Sequence, residues 1–286
     1  MNYSNTMVRN RSDLDLRNQA GVDNFFATER PEYVFLAAAK VGGIAANNGY
    51  PADFIYDNLA IQANVIQSAW RHGVTKVLVL GSSCVYPKHC PQPIREEYLL
   101  TSPLEPTNEW YAIAKIAGIK MAQAYRKQHG LNAICLMPTN LYGPNDNFDL
   151  ETSHVLPAML RRFHEARSSG APEVVLWGTG QPRREFLHVD DLADACIFLM
   201  QDYNHAEIIN VGSGVDLSIR ELAEMVQQVT GYQGRITFDP SKPDGTPRKL
   251  LDVSRLAGMG WTPKISLADG VRRTYEWYRG GLSAVA

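Results

Sequence analysis

The chain has 286 residues, 28 basic against 30 acidic side chains, a formal net charge of −2 and 45% hydrophobic residues. This is the composition of an ordinary globular protein with one large or two smaller domains, and it argues against a nucleic-acid binder, because backbone phosphates demand a basic surplus. No apolar run reaches the length of a membrane span, and the first twenty residues are too polar for a signal peptide.

In chain order, short apolar runs end in small or polar residues and are followed by helical patterns. Tyr33 to Ala39, Lys76 to Gly81 and Ala133 to Met137 are such runs, and Ile55 to His72 carries helical periodicity between the first two. Continuous apolar runs suit strands buried on both faces, so the alternation predicts an α/β fold, a Rossmann-like doubly wound parallel sheet. In such a sheet, ligands lie at the carboxyl ends of the strands. A further helix is predicted from Glu109 to about Gln128, capped by Thr107 or Asn108 and stopped at Gly130. From about Asn140 the pattern is less regular. Val174 to Gly178 and Ile208 to Gly212 read as strands, and Leu217 to Val229 as a helix opened by Ser218. The predicted organisation is a first domain over 1–141 joined by 181–203, and a smaller α/β domain from 142–180 and 204–286. The cysteines Cys84, Cys90, Cys135 and Cys196 lie far apart without metal-ligand spacing, as expected of reduced thiols in a cytoplasmic protein, and no metal site is expected.

The chemistry concentrates in Tyr111-Ala112-Ile113-Ala114-Lys115. Four residues apart on a helix, Tyr111 and Lys115 share a face, and an ammonium beside a phenol is expected to lower the phenol's pKa towards neutrality. Such a tyrosine hands a proton to a carbonyl oxygen. Gly81-Ser82-Ser83-Cys84 follows one buried strand, where a serine hydroxyl could bond the same oxygen. Pro138-Thr139-Asn140-Leu141-Tyr142-Gly143-Pro144 closes the next.

Together these motifs resemble the extended short-chain dehydrogenase/reductases, and within them the GDP-L-fucose synthases, the GDP-4-keto-6-deoxy-D-mannose epimerase-reductases. Ala37 to Ile44, Arg184 to Asp191 and Ser241 to Lys249 fit the same pattern, so the resemblance covers essentially the whole chain. It implies Tyr111 as proton donor, Lys115 as its partner, Ser82 as the carbonyl-binding serine, and Cys84 and His154 as the acid–base pair of epimerisation. Protons at C3 and C5 of the sugar flank the C4 ketone, so removing either gives an enolate, and a thiol and an imidazole both titrate near enough to neutrality to act. In related nucleotide-sugar epimerases and dehydratases the Cys84 position is typically a small residue or threonine. The resemblance further implies NADP(H), lined by Arg11, Leu80, Gly81, Ser82, Ser83, Lys115, Pro138, Thr139, Asn140, Leu141 and His154. It implies GDP-4-keto-6-deoxy-D-mannose held by Arg162, Trp177, Arg184 and Asp244, and a homodimer through the helices near Asp57 to His72 and Glu109 to Gln128. Arginines clamp pyrophosphate bidentately, and a carboxylate accepts from a sugar hydroxyl or a guanine edge. His188, in an apolar setting, is expected to be structural.

One departure stands out. A dinucleotide-binding fold opens with an apolar strand, a glycine-rich turn and a helix facing the pyrophosphate. Met1 to Arg11 has neither turn nor strand, and Gly42-Gly43 follows a later strand with the wrong spacing. Roughly one β-α unit, on the order of two dozen residues, is therefore expected to be absent, most simply through an incorrect or alternative start. Its loss is expected to leave neighbouring strands unpaired, to expose apolar surface and to remove the pyrophosphate site.

Overall fold

The computed structural model describes residues 3, 5–242 and 244–283, with the side chains of 282 and 283 excepted. Met1, Asn2 and Ser4 of the opening segment, and Pro243 of the Ser241 to Lys249 stretch, lie outside the described residues.

The first half alternates helix and strand. It runs α1 (Gln19–Glu29), β1 (Tyr33–Leu36), α2 (Ile44–Gly49), α3 (Pro51–Arg71), β2 (Lys76–Leu80), α4 (Glu109–His129) and β3 (Ala133–Pro138). The second half contains β4 (Asn140–Tyr142), α5 (Val155–Ser169), β5 (Glu173–Trp177), β6 (Arg183–His188), α6 (Val189–Asp202), β7 (Ile209–Val211), β8 (Asp216–Ser218) and α7 (Ile219–Thr230). It closes with β9 (Arg235–Asp239), β10 (Arg248–Lys249), α8 (Ser254–Gly258) and α9 (Leu267–Ser283).

A parallel sheet in the order β1-β2-β3-β7 forms the centre, as the buried runs predict. Every residue of β3 is buried, and Leu78, Ile134 and Leu136 are almost wholly so, each worth about 1.5–3 kcal/mol of apolar transfer. β1 ends the sheet. It stops at Leu36, three residues short of the predicted run, and Phe35 is 39% exposed. Its outer edge is covered only locally: the Tyr3 ring meets Tyr33 and Phe35 edge-on, at 5.3 and 5.7 Å between centroids.

β7 extends the central sheet from β3, so the segment around 209–211 belongs structurally with the first half and not with the later segments. A second sheet, β10-β6-β4 with β8 antiparallel to β6, links the halves, and β5 pairs with β9 alone. α5, α7 and α9 pack a separate core around Leu160, Phe163, Leu222 and Val271.

α3 and α4 lie side by side because Gly118 lets Gln62 approach. A Cβ there would sit 2.1 Å from Gln62 Oε1. Gln62 Nε2 donates to the carbonyls of Asn58 and Ala114, which fixes α4 and the residues it carries. Gly130 ends α4 in the left-handed region at φ 72°.

Candidate active site

β2 ends at Leu80, and the chain turns immediately into a short 3₁₀ segment, Ser83–Val85. Ser82 caps it, its Oγ accepting from the Cys84 amide at 3.1 Å. Tyr86 anchors the far end by donating to Asn210 Oδ1 at 2.6 Å. α4 brings Tyr111 over this turn, where Ser82 acts on its phenol.

Lys115 stands on the same helix face but does not act on the phenol as expected. Its Nζ donates to the Leu80 carbonyl at 2.7 Å and lies 5.8 Å from the centre of the Tyr111 ring. Burial pushes the Tyr111 phenol up, Cys84 adds to this, and Ser82 opposes it. The expected drop towards neutrality is therefore corrected: its burial keeps Tyr111 protonated. Burial instead lowers Lys115 to about 8.

Cys84 is half-buried. Burial pushes its thiol up, but the Lys249 ammonium, hydrogen bonds from Ser82 and Lys249, and the Arg184 charge together hold it below the ordinary thiol value. Lys249 Nζ lies 3.4 Å from Cys84 Sγ. His154 is the N-cap residue of α5 and is open at the surface. Enough protein still surrounds its ring that desolvation, aided by the Lys249 charge, lowers its pKa. One lysine therefore acts on both members of the expected acid–base pair.

Arg184, on β6, is largely desolvated and feels Cys84, Asp244 and Glu105. Asp244 does not offer a free carboxylate. Its Oδ1 accepts from the Thr179 amide at 2.7 Å and its Oδ2 from the Thr179 hydroxyl at 2.8 Å, which holds the turn after β5. Trp177, at the end of β5, is 53% exposed, with Lys242 Nζ 5.8 Å from its ring. Arg162 Nη1 donates to the Val175 carbonyl at 3.5 Å, which places it beside the same exposed face of β5. Two residues with no expected role join the site. Lys249 is one. The other is Asn108, which lines a small cavity with Ser83, Cys84, Glu105 and Lys249, its Oδ1 buried without a partner among the described residues.

Of the expected cofactor residues, Leu80, Gly81, Ser82, Ser83 and Pro138 to Leu141 lie at or just after the carboxyl ends of β2 and β3, whereas Lys115 is on α4 and His154 caps α5. Gly81 donates to Leu136 O at 2.8 Å, and a Cβ there would meet Met137 at 2.3 Å. Pro138 ends β3, Leu141 pairs with Leu187, and Ser83 is buried. The Thr139 and Asn140 side chains face the protein, both donating to the Glu185 carbonyl at 3.2 and 2.7 Å. Arg11 lies in an exposed turn, where its charge acts on Asp15. Neighbouring Arg9 pairs with Glu29 at 2.8 Å. Gly43 is held against Thr152 O at 3.0 Å, and among the described residues no glycine-rich turn opens a long helix. The polar groups around Ser82, Tyr111 and Lys115 fit the nicotinamide end of a dinucleotide. His188 is structural as expected: its Nδ1 accepts from the Asp190 amide at 3.2 Å, capping α6.

The model of the NAD dependent epimerase/dehydratase family matches residues 2–212. GDP-L-fucose synthase 1 of Arabidopsis thaliana is 65% identical over 276 residues, covering 96% of this chain and 85% of the relative. The chain belongs to this family, in its GDP-L-fucose synthase branch. Among solved structures of family members, a GDP-6-OMe-4-keto-L-xylo-heptose reductase from C. jejuni superposes with a TM-score of 0.92 at 39% identity, covering 98% of this chain and 91% of that one. A GDP-L-fucose synthetase from Naegleria fowleri bound to NADP superposes at 0.90 with 27% identity, covering 97% and 86%. Among the described residues, no helix of this family member is long and apolar enough to cross a membrane.

Proposed function

We propose that this chain converts GDP-4-keto-6-deoxy-D-mannose to GDP-L-fucose, by 3,5-epimerisation followed by reduction of the 4-ketone with NADPH. The observation that carries the reading is the Cys84 thiol, held against Lys249 at 3.4 Å beside the Ser82–Tyr111 pair. A reductase alone has no use for a stabilised thiolate there.

In epimerisation, Cys84 Sγ takes the proton from the carbon beside the ketone, and the His154 ring delivers one to the opposite face. Lys249 favours the thiolate, and Ser82 Oγ with Tyr111 Oη bond the C4 oxygen on which the enolate charge develops. Bound NADPH supplies the hydride for reduction. Tyr111, protonated because it is buried, gives its proton to the C4 oxygen. Lys115, near 8, gains and loses protons close to neutrality and restores it. Ser82, Ser83 and Lys115, with the strand ends at Leu80–Gly81 and Pro138–Leu141, would hold the nicotinamide half of the cofactor. Arg184 and Arg162 would hold the pyrophosphate, with Trp177 as a wall and Asp244 stiffening the adjoining turn.

The active form is a homodimer through α3 and α4. Tyr56, Leu59 and Trp70 on α3, with Trp110 and Ile113 on α4, are exposed apolar groups on neighbouring helices. The four cysteines are free, in keeping with a cytoplasmic enzyme.

The test is direct. Purified protein with NADPH and the 4-keto sugar nucleotide should oxidise NADPH and form GDP-L-fucose. Cys84→Ser should lower solvent deuterium exchange at C3 and C5 about 100-fold or more. Folded protein that oxidises no NADPH, or a serine variant that exchanges normally, defeats the reading.

A further inference from the structure

Glu185, the third residue of β6, is a carboxylate with 0% exposure, and no Lys, Arg or His among the described residues forms an ion pair with it. Its oxygens are instead occupied mainly by backbone amides. Oε1 accepts from the Gly214 amide at 2.7 Å and from Ser213 Oγ at 3.5 Å, and Oε2 accepts from the Leu251 amide at 2.9 Å. Gly212 must be glycine for this approach, since a Cβ there would lie 2.2 Å from Glu185 Oε1. A buried carboxylate without a cation is costly unless its lone pairs are satisfied, so a hydrophobic residue would be the simpler core choice.

What the carboxylate joins explains its presence. It follows Arg184 directly in β6, and its carboxylate holds the Gly214 amide on one side and the amide of Leu251, two residues beyond Lys249, on the other. The Leu250–Leu251 stretch is also fastened by Gln92 Oε1, which accepts from the Leu250 amide at 2.9 Å, and by Ile94, whose amide donates to Leu250 O at 2.7 Å. Arg184 and Lys249 are themselves partners in the β6–β10 register. The same residue's backbone carbonyl takes the Thr139 and Asn140 side chains from the cofactor half, and Thr139 also acts on the carboxylate itself.

We propose that Glu185 is a positioning residue for the sugar-nucleotide half of the site, setting Lys249 against Cys84 and Arg184 beside it through hydrogen bonds to the Gly214 and Leu251 amides. The inference rests on the functional reading above. Replacing the carboxylate with an amide turns one acceptor into a donor facing an amide N–H, which expels one of the two loops. Misplacement by about 1 Å is enough to weaken a charged contact severely.

The experiment compares wild type, Glu185→Gln and Glu185→Asp. The aspartate keeps the charge and withdraws the oxygens by one methylene, so it serves as the partial-rescue variant. Each is measured for KM with the sugar nucleotide, KM with NADPH, GDP affinity by calorimetry and thermal stability. Glu185→Gln should raise the KM for the sugar nucleotide and weaken GDP binding about tenfold, with KM for NADPH unchanged and Glu185→Asp intermediate. Equal loss of sugar-nucleotide and NADPH binding, or a lower Tm with both KM values unchanged, overturns the proposal. An inactive wild type that still binds GDP, with Glu185→Gln binding it about tenfold more weakly, would fail the functional reading and leave this inference standing.

Discussion

At Cys84 two opposing effects meet. Burial disfavours the thiolate, and the Lys249 ammonium at 3.4 Å, with help from Ser82 and Arg184, favours it; the charges win, and the pKa falls below the ordinary thiol value. Lys249 also lowers His154, whose largest shift comes from desolvation. The sign follows from the charge. Removing a cation destabilises the thiolate and stabilises the imidazolium, so Lys249→Met should raise both pKa values. Alkylation of Cys84 by iodoacetamide, after subtracting the Cys84→Ser background, should then need higher pH, and both limbs of the epimerisation pH profile should move upward. Epimerisation at pH 7 should fall about tenfold, with Lys249→Arg recovering most of it. An unmoved alkylation midpoint would show that Lys249 has no electrostatic role. Lys249 sits 165 positions from Cys84 in the chain, so no local pattern connects them.

Helices carry their own boundaries. α7 begins with a capping box: Ser218 Oγ accepts from the Glu221 amide at 3.1 Å, and the Glu221 carboxylate accepts from the Ser218 amide at 2.7 Å. Ser218→Ala should cost about 1 kcal/mol, measured by chemical denaturation, with kcat unaffected because α7 packs in the outer core away from Cys84. An unchanged midpoint would mean that water replaces the cap without loss. α4 shows the same legibility, starting after Asn108 and stopping at Gly130 as its sequence predicts, although Asn108 makes no side-chain cap. β1 is less legible. Its apolar run continues to Ala39, but Ala37 already donates back to Phe35 O, and Asn58 takes hold of Lys40 through both N–H and C=O. A tertiary contact, and not composition, ends that strand.

For the whole molecule, the exposed apolar band across α3 and α4 is the strongest claim on a partner. Phe54 and Tyr111 meet at one end of the helix pair, and Trp70 meets Tyr125 and His129 at the other, so the two helices run parallel along their length. Ile113→Glu would bury a charge in the proposed dimer while costing an exposed position little in the monomer. Sedimentation should show a dimer for the parent chain and a monomer for the variant, with the variant's Tm close to that of the parent's monomer. A monomeric parent chain at micromolar concentration defeats the dimer.

By itself, the amino-acid sequence determined the α/β class, the buried strands, the helix that carries Tyr111 and Lys115, and the set of residues that mark the family. These rest on local periodicity, caps and short motifs, all written within a few residues of one another. Tertiary structure decided which charges act on which groups. Lys115 turns to the Leu80 carbonyl and leaves Tyr111 protonated, Asp244 is taken by Thr179, and β7 joins the central sheet. Lys249 reaches Cys84, and Glu185 ties the loops that bring it there. Each depends on desolvation and on contacts between distant segments, and both come into being only when the chain is packed.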